Sequence, residues 1–231
     1  MKVVILCGGT GNRIAQETKK IPKPMIKIGG QQILRRIMEN YMKYGYDDFI
    51  LACGYKHQII KKYFKNQKKF KNLKIINTGK TTLTGKRLFK IKKFLIKEKH
   101  FMLTYGDGVS NLNFNKLLKF HYKNKKIATV TAVNPVSTFG ELKIKKNLIK
   151  IFNEKKTNNK IWINGGFFIF SKKVFKYLSS KDSMLEDQLI NNLVKNKELA
   201  AYKYKGFWKC LDNYKDKIEL ENIFNKRNFK L

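Results

Sequence analysis

VVILCGGTGNRIAQETKKIPKPMIKIGG, residues 3–30, sets an apolar run directly before a glycine loop, a cation pair and two prolines. Val3-Val4-Ile5-Leu6-Cys7 is apolar throughout, as a strand buried on both faces requires. Gly8, Gly9, Thr10, Gly11 and Asn12 then leave its carboxyl end, with Arg13 and Lys23 following. In open α/β folds ligands bind at that end of a parallel sheet, and glycines let backbone N–H groups approach phosphate oxygens. On its own the loop reads equally as a phosphate cradle or as a structural turn. It is not the dinucleotide fingerprint, because Ile14 stands where the third glycine belongs.

Working outward, apolar runs alternate with helical patterns. Ile33, Leu34, Ile37, Met38 and Tyr41 fall at helical spacing, 48–53 reads as a second strand and 58–64 as a short helix. Strands are expected at 73–77, 101–105 and 128–133, with helices at 87–97 and 115–122. This rhythm predicts an α/β fold with a mostly parallel, doubly wound, Rossmann-like sheet. From about residue 139 the pattern changes. GELKIKKNLIKIFNE alternates around Lys146-Asn147 as a β-hairpin does, and IWINGGFFIF reads as a strand pair or a bulged strand at Gly165-Gly166. Helical patterns return at 172–178, 186–195 and 214–226.

The composition limits the function classes. With 231 residues, 42% hydrophobic and 13% aromatic, the chain fits one globular domain. No apolar run approaches the roughly 20 residues that span a bilayer, and the first one is too short for a signal-peptide core. A cytoplasmic protein without a membrane partner is expected. Three scattered cysteines and three scattered histidines offer neither a disulfide framework nor a zinc spacing. The net charge of +35 attracts polyanions, yet the lysines run along the whole chain and no nucleic-acid-reading module accompanies them. They read as a solvated surface, with no nucleic-acid partner.

Two further loops carry chemistry. TGKTTLTGKRL, residues 78–88, fails as a P-loop: for Gly79-Lys80-Thr81 the expected first glycine is Lys74, and Gly85-Lys86 follows Gly79 at the wrong spacing with Arg87 in place of the Ser or Thr. A Gly/Thr-rich loop over a base or ribose stays open. In LTYGDGVS, residues 103–110, Asp107 ends an apolar strand between Gly106 and Gly108, placed to hold a hard cation or to make a turn.

Taken together, GGTGNR, ET…PKPMIKIGG, CGYK, TG…TGKRL, TYGDGV, NGGFF and the D-x-x-x-D-K at 212–217 resemble the sugar-phosphate nucleotidyltransferases, most of all their cytidylyltransferase branch for glucose 1-phosphate. The motifs keep the family's order over nearly the whole chain. The resemblance implies a single domain over 1–231, with a nucleotide-binding half over about 1–135 and an acceptor-binding half over about 136–231. It implies that Leu6, Cys7, Gly8, Gly9, Thr10, Gly11, Asn12 and Arg13 wrap the CTP phosphates beside Lys23, and that Thr82, Arg87 and Gly106 contact the nucleotide. Arg13, Lys23 and Asp107 would carry catalysis, and Asp107 and Asp212 would share Mg²⁺. Glu154, Lys155, Asn164 and Gly165 would face the sugar phosphate, although Glu154 and Lys155 also read as a charged hairpin surface.

Three departures stand out. The family's long segment before the TG loop, which builds subunit contacts in relatives, is cut to KNQKKFKNLKIIN, so the homo-oligomer that the resemblance implies loses its usual support. Lys156 replaces the proline after Glu-Lys, and SMLEDQLI differs from the usual acidic-proline helix start. The last two lie in the acceptor half, which leaves room for an acceptor other than glucose 1-phosphate. The implied reaction is attack by an acceptor phosphate oxygen on the α-phosphorus of CTP. A phosphate monoester, with a second pKa near ~6, needs no general base for this, which suits a chain without a poised histidine.

Overall fold

The computed structural model describes residues 1–135, 141–153 and 161–225. In β1 (Lys2–Cys7) every side chain from Val3 onward is buried, Val3, Ile5 and Cys7 on one face and Val4 and Leu6 on the other. Each fully buried aliphatic or aromatic side chain contributes about 1.5–3 kcal/mol, so a strand of this kind can exist only at the centre of a sheet with helices on both faces. That is where it lies.

After β1 come α1 (Ala15–Thr18), the short ribbon β2 (Lys27–Ile28) and β3 (Gln31–Gln32), and α2 (Ile33–Met42). Next are β4 (Asp48–Cys53), α3 (His57–Lys65), β5 (Asn72–Asn77), α4 (Thr84–Ile91), β6 (His100–Tyr105) and β7 (Gly108–Ser110). Helix α5 (Phe114–Asn124) and β8 (Ala128–Val133) precede the hairpin of β9 (Glu141–Lys145) and β10 (Leu148–Asn153). The chain continues through β11 (Ile163–Ser171), α6 (Asn191–Lys195), β12 (Leu199–Tyr204), β13 (Trp208–Cys210) and α7 (Tyr214–Phe224).

Seven strands form the main sheet in the order β12-β8-β11-β6-β1-β4-β5. The pairs β1–β4, β1–β6, β4–β5 and β8–β12 are parallel, and β11 runs antiparallel to both β6 and β8. The expected NGGFF strand pair is thus one nine-residue strand, β11, with a register irregularity against β8 between Asn164 and Phe168. Its six consecutive buried residues, Gly165 to Phe170, fit a central position.

Other expectations need small corrections. The helix expected at 87–97 starts earlier, at Thr84, and gives way after Ile91 to a 3-10 turn over Lys92–Phe94. The stretch 172–178 is a 3-10 turn over Lys172–Lys176, capped by the Ser171 hydroxyl accepting from the Lys173 amide at 3.2 Å. The stretch 186–195 begins as a π-helical turn, Glu186–Ile190, before α6. Glu154 and Lys155 lie outside the described residues.

Two contacts position the site. Helix α2 packs its Ile33, Leu34, Ile37, Met38 and Tyr41 stripe into the core. From the same helix the buried Asn40 side-chain amide donates to the Ser110 carbonyl at 2.7 Å, which holds β7 against it. Strand β13 pairs antiparallel with β7, Cys210 opposite Gly108, and the Leu211 amide donates to the Asp107 carbonyl at 2.9 Å. Segments a hundred residues apart are thereby joined beside the carboxyl end of β6.

Candidate active site

A cavity of about 530 Å³ opens at that carboxyl edge, lined by Leu6, Cys7, Gly9, Arg13, Lys23 and Pro24 from the first stretch and by Thr104 to Gly108 from the β6 turn. Ile163, Asn164, Gly165 and Gly166 form part of its wall with Thr84, Met184 and Glu186, and Trp208, Cys210 and Asp212 complete it. The β7–β13 ribbon brings Asp107 and Asp212 together here.

Lys23 sits in a 3-10 turn between Pro22 and Pro24, and its side chain is only 10% exposed. Its Nζ donates to Asp107 Oδ2 at 2.8 Å and to Asp212 Oδ1 at 3.2 Å. Burial pulls this ammonium's pKa down, but the Asp107 carboxylate, with Asp212 beside it, outweighs burial and holds it above the ordinary lysine value. Lys23 is therefore charged at any physiological pH. Arg13 Nη1 donates to Asp212 Oδ2 at 2.7 Å from a largely solvent-exposed side chain. Two cations balance two carboxylates.

The acidic end of this cluster has the donor chemistry of a hard-cation site. Asp107, Cys210 and Asp212 each present a ligand atom, all within 4.8 Å of one another. Burial, and then the two aspartates, push the Cys210 thiol well above its ordinary value, so it remains a neutral thiol. That leaves two carboxylate oxygens, which is what Mg²⁺ usually takes from a protein. The Lys23 ammonium occupies the space between them and is the positive charge that an ion there would replace. The site residues fit a divalent ion.

The D-x-x-x-D-K motif divides its labour. Asp212 faces the cavity. Asp216 closes a capping box with Asn213 at the start of α7, and its Oδ2 accepts from the backbone amides of Asp212 and Asn213 at 3.0 Å each. Lys217 pairs with Glu17 of the ET motif. Asp216 thus fixes the backbone of Asp212, a positioning role invisible in the motif itself.

Arg87 stands elsewhere than the sequence suggested. It is 3% exposed and absent from the cavity lining. Its guanidinium points inward and donates to the carbonyls of Gly8 at 2.9 Å, Cys53 at 3.1 Å and Gly79 at 2.8 Å, and to the Thr78 hydroxyl at 2.5 Å. It ties the loops after β1, β4 and β5 together. A Cβ on Gly8 would lie 2.2 Å from the Arg87 guanidinium carbon, so the absence of a side chain at this position makes room for the arginine. Thr82 likewise spends its hydroxyl on the Thr78 carbonyl at 2.7 Å, and from this loop it is Thr84 that reaches the cavity. Gly8, Thr10, Gly11 and Asn12 also lie off the lining, whereas Leu6, Cys7, Gly9, Arg13, Lys23, Gly106, Asn164 and Gly165 are on it.

Residues 2–224 match the nucleotidyl transferase family over almost the whole chain. The chain belongs to that family. This nucleotidyl transferase is 40% identical to a Bacillus subtilis protein named "Probable glucose-1-phosphate cytidylyltransferase", covering 98% of this chain and 97% of that one. It is 36% identical to the glucose-1-phosphate cytidylyltransferase of Salmonella typhimurium, over 98% of this chain and 96% of the other. Among solved structures it superposes on HddC from Yersinia pseudotuberculosis, crystallised with GMP-PN, with a TM-score of 0.76 and 25% identity over 97% and 99% of the two chains. The mostly parallel sheet with helices is the nucleotidyl transferase fold. Among the described residues, no helix is long and apolar enough to cross a membrane.

Sequence reasoning missed Thr84, Tyr105, Met184, Glu186 and Trp208. Tyr105 lay inside a quoted motif. Thr84 lay in the TGKTTLTGKRL loop, and Met184 and Glu186 in the SMLEDQLI stretch, each without a role attached to it.

Proposed function

We propose that this chain transfers a cytidylyl group from CTP to a sugar 1-phosphate, with glucose 1-phosphate as acceptor, giving a CDP-sugar and pyrophosphate in the cytoplasm. The observation that carries the reading is the meeting of Arg13, Lys23, Asp107 and Asp212 in one cavity at the carboxyl edge of the sheet. The names of the two cytidylyltransferase relatives support the choice of nucleotide and acceptor.

The chemical problem is to bring an anion to an anion and to stabilise charge on the leaving group, which positioning and cations accomplish. Lys23, held as an ammonium, moves from the carboxylates to the α/β-phosphates as a point charge, and Arg13 forks onto the outer phosphates. The Gly9 side of the first loop admits the triphosphate. Asp107 and Asp212 hold the divalent ion, for which we propose Mg²⁺; when bound it polarises the phosphoryl group and neutralises its charge. Asn164 and Gly165 line the acceptor wall, with Glu154 and Lys155 assigned to the sugar ring and its phosphate. The acceptor phosphate attacks unaided, being largely dianionic near neutral pH. The halves over about 1–135 and 136–231 supply nucleotide and acceptor contacts within one domain.

The test is pyrophosphate release for each common nucleoside triphosphate across a panel of phosphate monoesters, with Mg²⁺ and with chelator. Release with CTP and a sugar 1-phosphate, abolished by chelator, is expected. Preference for UTP or dTTP would overturn the cytidylyl assignment.

A further inference from the structure

Glu186 lies on the cavity wall, apart from the Arg13, Lys23, Asp107 and Asp212 cluster. It begins the π-helical turn Glu186–Ile190, in which the Ile190 amide reaches back five residues to the Leu185 carbonyl at 3.0 Å. Such turns are rare and often mark functional sites. One carboxylate oxygen, Oε1, accepts from the Tyr105 hydroxyl. The other, Oε2, is shut from solvent and has no hydrogen-bond donor among the described residues. A buried polar atom left without a partner is costly, most of all on a charged group.

The surroundings hold this carboxylate in one orientation. Gly166 has a left-handed φ of 76°, and a Cβ there would lie 2.8 Å from Tyr105 Cδ2, so the glycine lets the tyrosine ring pack directly on the backbone. Through its Oδ1 the Asn164 side chain accepts from the Gly166 amide at 2.8 Å. Trp208 closes the same wall, its Nε1 donating to the Gly165 carbonyl at 2.8 Å. These donors are all committed to protein atoms. On this wall, among the described residues, Oε2 is left with acceptor capacity and no donor.

A CTP phosphate cannot satisfy it, since a carboxylate repels phosphate oxygens. A hydroxyl can. We infer that acceptor binding uncovers Glu186 Oε2, which then accepts a hydrogen bond from one hydroxyl of the acceptor, so that Tyr105 and Glu186 select polyhydroxylated phosphates carrying a donor at that position. Glu186 then touches substrate, and Tyr105 is a positioning residue acting through it. This rests on the reading of the acceptor as a sugar 1-phosphate.

The experiment is a cycle between enzyme and substrate. Glu186→Gln and Tyr105→Phe are assayed with CTP against the parent sugar 1-phosphate and its monodeoxy analogues. Glu186→Gln is expected to lower kcat/KM for the parent acceptor by about 10- to 100-fold, the range of a hydrogen bond to a charged group, while the KM for CTP stays unchanged. One deoxy analogue should lose a similar factor with the wild type and lose nothing more with Glu186→Gln. Tyr105→Phe keeps the carboxylate but frees it to turn, and should give a smaller loss focused on the same analogue. Equal additional losses on every analogue, or wild-type behaviour of both variants, would overturn the inference. Absence of turnover with any sugar phosphate would overturn the functional reading and this inference together, whereas additive losses on an active enzyme overturn this one alone.

Discussion

Replacing Arg87 by alanine separates a clamp from a nucleotide contact. The guanidinium makes four bonds at 2.5–3.1 Å and a longer one to the Lys80 carbonyl at 3.4 Å, and a bond from a charged donor is worth about 1.5–3 kcal/mol. The sum overstates the loss, because several acceptors keep partners. The Cys53 carbonyl still accepts from the Thr78 amide at 2.8 Å and from the Thr78 hydroxyl at 2.7 Å, and the Gly8 carbonyl still accepts from the Tyr55 amide at 3.1 Å. Burial also holds the Arg87 pKa below the ordinary arginine value, so removing the group relieves a desolvation cost. The net expectation is a loss of about 3 kcal/mol, or roughly 10 °C in Tm for a chain of this size. Urea denaturation without nucleotide measures it, the midpoint falling while the slope stays fixed. Arg87→Lys, which keeps the charge but cannot fork, should lose less. A stability within about 1 kcal/mol of wild type, together with a steep rise in the KM for CTP, would refute the clamp and restore a nucleotide contact.

Further outcomes follow from the same geometry. Asp107→Asn and Asp212→Asn should fold normally and lose Mg²⁺-dependent turnover by orders of magnitude, read from pyrophosphate release and from Mn²⁺ binding by electron spin resonance. Lys23→Ala should lose most of kcat yet tighten Mn²⁺ binding to the nucleotide-free protein by roughly tenfold, since the competing ammonium is gone; weaker binding would place the ion elsewhere. Gly8→Ala should destabilise the fold, with its Cβ 2.2 Å from the Arg87 guanidinium, whereas Gly9→Ala, with nothing within 4 Å, should leave stability intact in thermal melts. Burial, aided by His100, lowers the His121 pKa to about 4. Its unfolded form takes a proton first as pH falls through about 6.5, so stability is lost between there and about 4, and His121→Gln should flatten that part of the curve.

Much of the fold was legible because its central strands are apolar on both faces: Val3–Cys7 and Phe49–Cys53 leave few alternatives to a parallel sheet under helices. Asp107 was legible too, as a carboxylate between glycines at the end of such a strand. What could not be read depends on contacts across long separations. Whether Arg87 turns outward to a ligand or inward to backbone carbonyls is decided by the loops after β1 and β4, which its own neighbourhood does not encode. The β7–β13 pairing that delivers Asp212 joins three-residue strands too short to announce themselves. The π-helical turn at Glu186 looks in sequence like an ordinary helix start, and the antiparallel insertion of β11 leaves no mark in an apolar run.

The most direct test of the central claim uses a sugar 1-phosphate whose phosphate oxygens carry ¹⁸O, incubated with CTP and Mg²⁺, with both products read by mass spectrometry. Attack by the acceptor phosphate on the α-phosphorus predicts a CDP-sugar retaining all the label and pyrophosphate carrying none. Label in the pyrophosphate, or no CDP-sugar at all, would contradict it.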